Sequence, residues 1–250
     1  MPMNNTFPST KEEWKRLANI DYFGMYVKAY IPFNAWMNLN FADDSDRAMI
    51  NAIKRGSNDF RNKIVALLQD DTQEGADFRA RLGELHNALE QAQLANQGRI
   101  ISFHAIRFKN EGDCSLDADR HSIHFHVHCG DVRHPFETYE YDTKKVSQCV
   151  SQLTNEGWRQ KILTMYKSVA PLIEKDLVTG RKNEEGMPIT SIECGRFYFL
   201  PDVIRVTQGL IEVLYNLRNA LFHGEINPNG DANKVYGAAY HILRCVIECL

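Results

Sequence analysis

Arg218, Asn219 and His223 stand close together in the run "LYNLRNALFHGEIN" (214–227), and Gly224 follows at once. A guanidinium offers a planar fork of donors that suits phosphate oxygens. An imidazole moves a proton near neutral pH. The carbonyl end of a helix favours the protonated ring. Together these groups suit cleavage of RNA by its own 2′-hydroxyl: the imidazole acts as acid or base, and the guanidinium holds the phosphate as charge builds on it. That chemistry needs no metal. Asn219 is placed to orient the ring or touch phosphate. The same residue types also stabilise a plain helix end, where cationic side chains meet unpaired carbonyls and glycine stops the chain.

The element that must position them is a helix. Val203, Val206, Leu210, Val213, Leu214, Leu217 and Leu221 recur at helical spacing, and Pro201-Asp202 is a start signal. Gly224 is a natural stop, since it adopts positive φ without penalty. Residues five apart on an unbroken helix diverge by about 140°. A stop at His223 is therefore expected to free its ring to swing toward Arg218.

A second set of candidates lies in "HSIHFHVHC" (121–129). Strand alternation puts His124, His126 and His128 on one face. His124 and His128 would be about 13 Å apart, too far for one ion. A metal would have to use His124 and His126, with His104 from a neighbouring strand. The simpler expectation is a polar strand face and no metal or other cofactor.

Composition narrows the field. The net charge of -3 over 250 residues gives no global basic field, so any polyanion site must be local. Lys54, Arg55, Arg61, Lys63, Lys144 and Lys145 are the candidates for such a surface. The six cysteines form no CxxC pair, and Cys245 and Cys249 read as small packed residues on one helix face. No apolar leader and no run of 18 apolar residues is seen, so the expectation is a cytoplasmic chain with no membrane partner.

Along the rest of the chain, apolar spacing predicts a helix over Lys11–Phe41, kinked or broken near Tyr30–Ile31 by Pro32. Helices follow over Asp46–Arg55, with Asp46 as cap, then Asp59–Gln69 and Glu74–Leu94. The stretches 99–109 and 121–129 read as two strands, paired as a hairpin with a long loop. The segment 130–143 reads as a mixed connection. Helices resume over Thr143–Leu153 and Trp158–Val178. A loop spans 179–188, and a last helix runs from Asp231 to Leu250.

The apolar helix ending in "LRNALFHGE", the short polar loop and the final helix "KVYGAAYHILRCVIECL" resemble the HEPN superfamily, whose mark is an R-x4-6-H motif. Here that motif is Arg218 and His223, with Asn219 as the polar residue after the arginine. The aromatic helix "YFGMYVKAYIPFNAWMN" is similar to the first helix of such chains. The resemblance implies a mainly α fold: an up-and-down helical bundle in one domain over 1–250. It would comprise N-terminal helices over 1–95, a small β insertion over 96–143 with strands around 99–129, and C-terminal helices over 144–250. It also implies a homodimer in which two such motifs line one cleft, with RNA as substrate. Toxin–antitoxin or phage-defence roles follow, with an antitoxin or other protein partner. Other members of the superfamily are inactive and bind a protein or nucleotide. A metal-binding protein built on the histidine strand is the remaining alternative.

Overall fold

The structure, a computed structural model, describes residues 20–41, 45–109, 116–118, 123–129, 132–138, 156–157, 160, 172–182, 186 and 190–250. The chain divides into two compact units: 1–106 with 176–250, and 107–175.

The first unit is mainly helical. Its described helices are α1 (Tyr22–Asn40), α2 (Asp46–Arg55), α3 (Asp59–Gln69), α4 (Gln73–Ala92), α5 (Val203–Phe222) and α6 (Gly230–Ile247). α6 packs most extensively on α1 and α4, while α5 lies against α2 and α3. Val235, Tyr236, Ala239, Ile242, Leu243 and Val246 of α6 are fully buried, with Tyr26, Phe33, Leu82 and Leu85 of the helices it meets also in the core. No helix among the described residues is long and apolar enough to cross a membrane.

The helix ends follow local chemistry. Asp202 accepts from the Arg205 amide at 3.0 Å and starts α5. Asn229 caps α6, and Asn58 caps α3. The cap of α2 is Ser45 rather than Asp46: its Oγ accepts from the Ala48 amide at 3.2 Å. Asp46 is thereby released as the first helical residue, able to pair elsewhere.

α1 runs unbroken through Pro32. Proline removes one amide donor, and the carbonyl it orphans is that of Lys28. Lys28, Ile31 and Pro32 are all exposed, so water reaches that carbonyl. Tyr26, Ala29, Tyr30, Phe33 and Met37 are buried on both sides of the proline and hold the helix to the core.

The described strands are short. In chain order they are β1 (Ala95–Asn96), β2 (Arg99–Ile100), β3 (Ile106–Lys109), β4 (Leu116–Ala118), β5 (Ile123–Cys129), β6 (Val132–Thr138), β7 (Leu172–Lys175), β8 (Val178–Thr179), β9 (Ile192–Cys194) and β10 (Phe197–Phe199). In the first unit β1 pairs with β2, and a 3-10 turn follows at Phe103–Ala105. These pieces, expected within the insertion, belong to the helical unit. β10 pairs with both β8 and β9. The helix expected to reach Val178 is therefore corrected at its C-terminal end, where β7 and β8 stand. Gly83 of α4 lies against β9: a Cβ there would sit 2.2 Å from the Cys194 carbonyl oxygen. Glycine is what lets the helix approach the sheet so closely.

In the second unit β3 pairs with β7, and β5 lies between β4 and β6. The expected hairpin between 99–109 and 121–129 does not form, and 132–138 is a strand rather than a connection. β6 carries Pro135 opposite His126, and among the described strands it is an edge, where a missing amide donor is tolerated. The side chains of β5, including His124 and His126, lie outside the described residues. So do residues 11–19 and the helix expected over Thr143–Leu153.

Candidate functional site

α5 is fixed to the bundle by groups that reach its backbone. The Tyr26 hydroxyl donates to the Leu214 carbonyl at 2.6 Å, and the Tyr236 hydroxyl to that of Leu217 at 2.8 Å. Burial raises the Tyr26 and Tyr236 phenols, so both stay protonated donors. One turn earlier, Glu212 accepts from Lys54 and Arg47, each at 2.8 Å. Burial pushes the Glu212 carboxyl up, but Lys54 and Arg47 outweigh it and hold it below the usual range. Arg47 also lies over the Tyr215 ring, 4.3 Å from its centroid.

The C-terminal turn of α5 closes in a Schellman motif. The Gly224 amide donates to Leu221 at 3.2 Å and the Glu225 amide to Ala220 at 2.9 Å, with Gly224 at φ +68°. The expected glycine stop is present: the helix ends at Phe222, His223 is its cap and Gly224 follows with positive φ. His223 keeps right-handed dihedrals (φ -85°, ψ 0°), and its amide still donates to Asn219. Its Cα–Cβ direction therefore stays on the helical arc, about 140° from that of Arg218.

Arg218 has definite partners. One terminal nitrogen donates to the Asn219 amide oxygen at 2.9 Å, and the other pairs with Asp46 at 3.1 Å. The guanidinium carbon also lies 5.0 Å from the Phe222 ring centroid. Asn219 is buried, while Phe222 is 59% exposed. The structure thus joins Arg218 and Asn219. His223 is exposed, and among the described residues no hydrogen bond or ion pair engages its ring. Among the described residues Asn219 and Asp46 are the polar partners of the guanidinium.

The turn between β1 and β2 meets this end of α5. The Gln97 amide donates to Glu225 at 2.7 Å, and the Asn96 side-chain amide to Asn216 at 3.1 Å. Sequence reasoning missed Asp46, Gln97 and Glu225 as neighbours of the motif. Reading Asp46 as a cap is what hid it.

The basic surface is weaker than its residue types suggest. Lys54 is buried on Glu212, and Lys63 pairs with Glu74 at 2.8 Å. Arg55 is exposed, and Lys144 and Lys145 lie outside the described residues. Of the two C-terminal cysteines, Cys245 is half-buried and Cys249 exposed.

A separate cluster forms between α4 and the 3-10 turn. One ring nitrogen each from His86 and His104 and one carboxylate oxygen of Glu90 lie within 4.8 Å of one another. The sequence reading groups His104 with the strand histidines, whereas it faces His86, 5.2 Å away between ring centroids.

Comparison with protein-family models, with curated proteins and with solved structures returns no match in any of the three.

Proposed function

We propose that the protein is a metal-independent endoribonuclease of HEPN type that acts as a homodimer. His223 serves as acid or base, Arg218 clamps the scissile phosphate, and Asn219 steadies the clamp. The 2′-hydroxyl attacks phosphorus, the 5′-oxygen leaves, and a 2′,3′-cyclic phosphate remains. The imidazole takes the proton of the attacking oxygen or supplies the one the leaving oxygen needs.

The observation that carries this reading is a solvent-facing imidazole at the Schellman-closed end of α5, one turn from a guanidinium already ordered by Asp46 and Asn219. A pre-positioned cation stabilises developing charge without reorganising at the moment of reaction. Within one protomer the two side chains diverge. A cleft formed by two copies resolves this, with Arg218 of one facing His223 of the other. The exposed Phe222 between them gives that cleft an apolar contact or a surface for a base. A role as toxin or phage-defence effector, with an antitoxin as protein partner, fits such an activity.

The experiment is incubation of mixed cellular RNA with the protein in EDTA. Cleavage by wild type and its loss in His223→Ala, with unchanged thermal unfolding, is the expected result. Expression of wild type but not His223→Ala should arrest growth. A second reading is favoured by the Arg218–Asp46 pair: if Asp46 neutralises the cation for good, the bundle is a silent module that binds a protein or nucleotide. It predicts a folded protein that leaves RNA intact.

A further inference from the structure

His86 and Glu90 are four residues apart on α4, so they share a face of the helix. His104 comes to that face from the 3-10 turn that follows β2. His86 is only 2% exposed and is ringed by Phe197 (4.6 Å between centroids), Phe199 (5.8 Å) and Phe103 (6.1 Å). Its Nδ1 is buried with no hydrogen-bond partner. A polar atom sealed away from water without a partner costs free energy, and the structure offers it no protein group in compensation.

The neighbours of the His86 ring are arranged as metal ligands are. His104 Nδ1 is 2.9 Å from Asp176, a carboxylate–histidine pair of the kind that fixes a ligand ring and its tautomer. With Nδ1–H given to Asp176, Nε2 is the nitrogen left to bind. Glu90 accepts from the Ser102 hydroxyl at 2.8 Å, which orients its carboxylate. Arg196, the neighbouring cation, is engaged by Asn87 and stacked on Phe197.

We propose that His86, Glu90 and His104 bind a divalent transition-metal ion, zinc by the chemistry of its donors, with Asp176 holding His104 in place. Two imidazoles and one carboxylate are a common three-ligand zinc set, with a fourth position open. A tetrahedral ion with bonds of about 2.1 Å sets its ligand atoms about 3.4 Å apart. The 4.8 Å limit observed here closes to that spacing by at most about 1.4 Å, an adjustment shared by the half-exposed His104 side chain and the Glu90 carboxylate. The site rests on no part of the ribonuclease reading, which needs no metal.

The test is titration of chelator-stripped full-length protein with Co²⁺, followed by visible absorption, and then displacement by Zn²⁺. One equivalent of Co²⁺ is expected to bind saturably, with bands of a four- or five-coordinate ion that Zn²⁺ erases. His104→Ala and Glu90→Gln should each weaken binding by at least about 100-fold, and Asp176→Asn by about 10-fold. Both ligand changes are toward solvent, so they leave the fold intact where His86→Ala could collapse its aromatic surround. The double variant His124→Ala/His126→Ala should bind as wild type does. Absence of saturable binding would overturn the proposal. So would binding that survives both His104→Ala and Glu90→Gln, or that disappears in the strand double variant.

Discussion

The helical unit holds two histidine-bearing corners that differ in nearly every physical respect. At the end of α5, His223 is exposed on a turn closed by glycine, its Cα–Cβ direction about 140° from that of Arg218. Between α4 and the 3-10 turn, His86 is sealed among phenylalanines, with Glu90, Asp176 and Arg196 as charged neighbours. Exposure to water suits a ring that exchanges protons with a polyanion. Desolvation suits a ring that stays neutral and lends a lone pair. Under the two proposals, identical side chains do opposite work because their surroundings differ.

The comparison breaks most sharply if the two corners are crossed. His223→Ala should cut RNA cleavage by about 1,000-fold, within the range a general acid or base supplies, and leave Co²⁺ binding intact. His104→Ala should do the reverse. Gel assays of cleavage and metal titration on the same two preparations read both effects. A variant that loses both properties together would show that the corners are not independent.

A smaller effect sharpens what holds the α5 corner. Glu212 is buried on Lys54 and Arg47, so Glu212→Gln leaves two cations without their carboxylate. Urea unfolding should show a loss of about 3 kcal/mol. Gly224→Ala places a Cβ at φ +68° and should cost about 1 kcal/mol by the same measurement, with cleavage lowered because the motif's last turn loosens.

The smallest effect is in pH. His86 titrates below its ordinary 6.5 in the folded chain, and His241 is likewise lowered by burial. The folded state therefore binds fewer protons than the unfolded one. The stability they contribute is fully present above pH 6.5 and is lost as the pH falls through their folded values. Thermal unfolding of metal-free protein should drop on acidification below pH 6.5, by at most about 1.4 kcal/mol per unit for each group. His86→Leu should flatten that slope, and a slope it leaves unchanged would place the titration elsewhere.

What is legible in the sequence is local. The start of α5 at Asp202 follows from one side chain meeting a nearby amide, and the stop at Gly224 from one backbone angle. α3 emerges with the bounds its spacing predicts. What is not legible is set by tertiary partners. The stretch 99–109 divides between a hairpin, a 3-10 turn and a strand whose partner, Leu172–Lys175, lies far along the chain. β8, β9 and β10 have two or three residues each, too short for alternation to show. His86 and Glu90 carry a readable signal, a four-residue spacing on a helix. It goes unread when the third member, His104, is grouped with the wrong strand. The Arg218–Asp46 pair depends on which of two adjacent residues caps α2, a choice that spacing alone does not make.

The ribonuclease proposal turns on the ends left on a defined oligoribonucleotide after incubation in EDTA, read by mass spectrometry. A 2′,3′-cyclic phosphate on one fragment and a 5′-hydroxyl on the other are expected, with the substrate left whole by His223→Ala. Fragments bearing 5′-phosphates, or equal cutting by that variant, would contradict it.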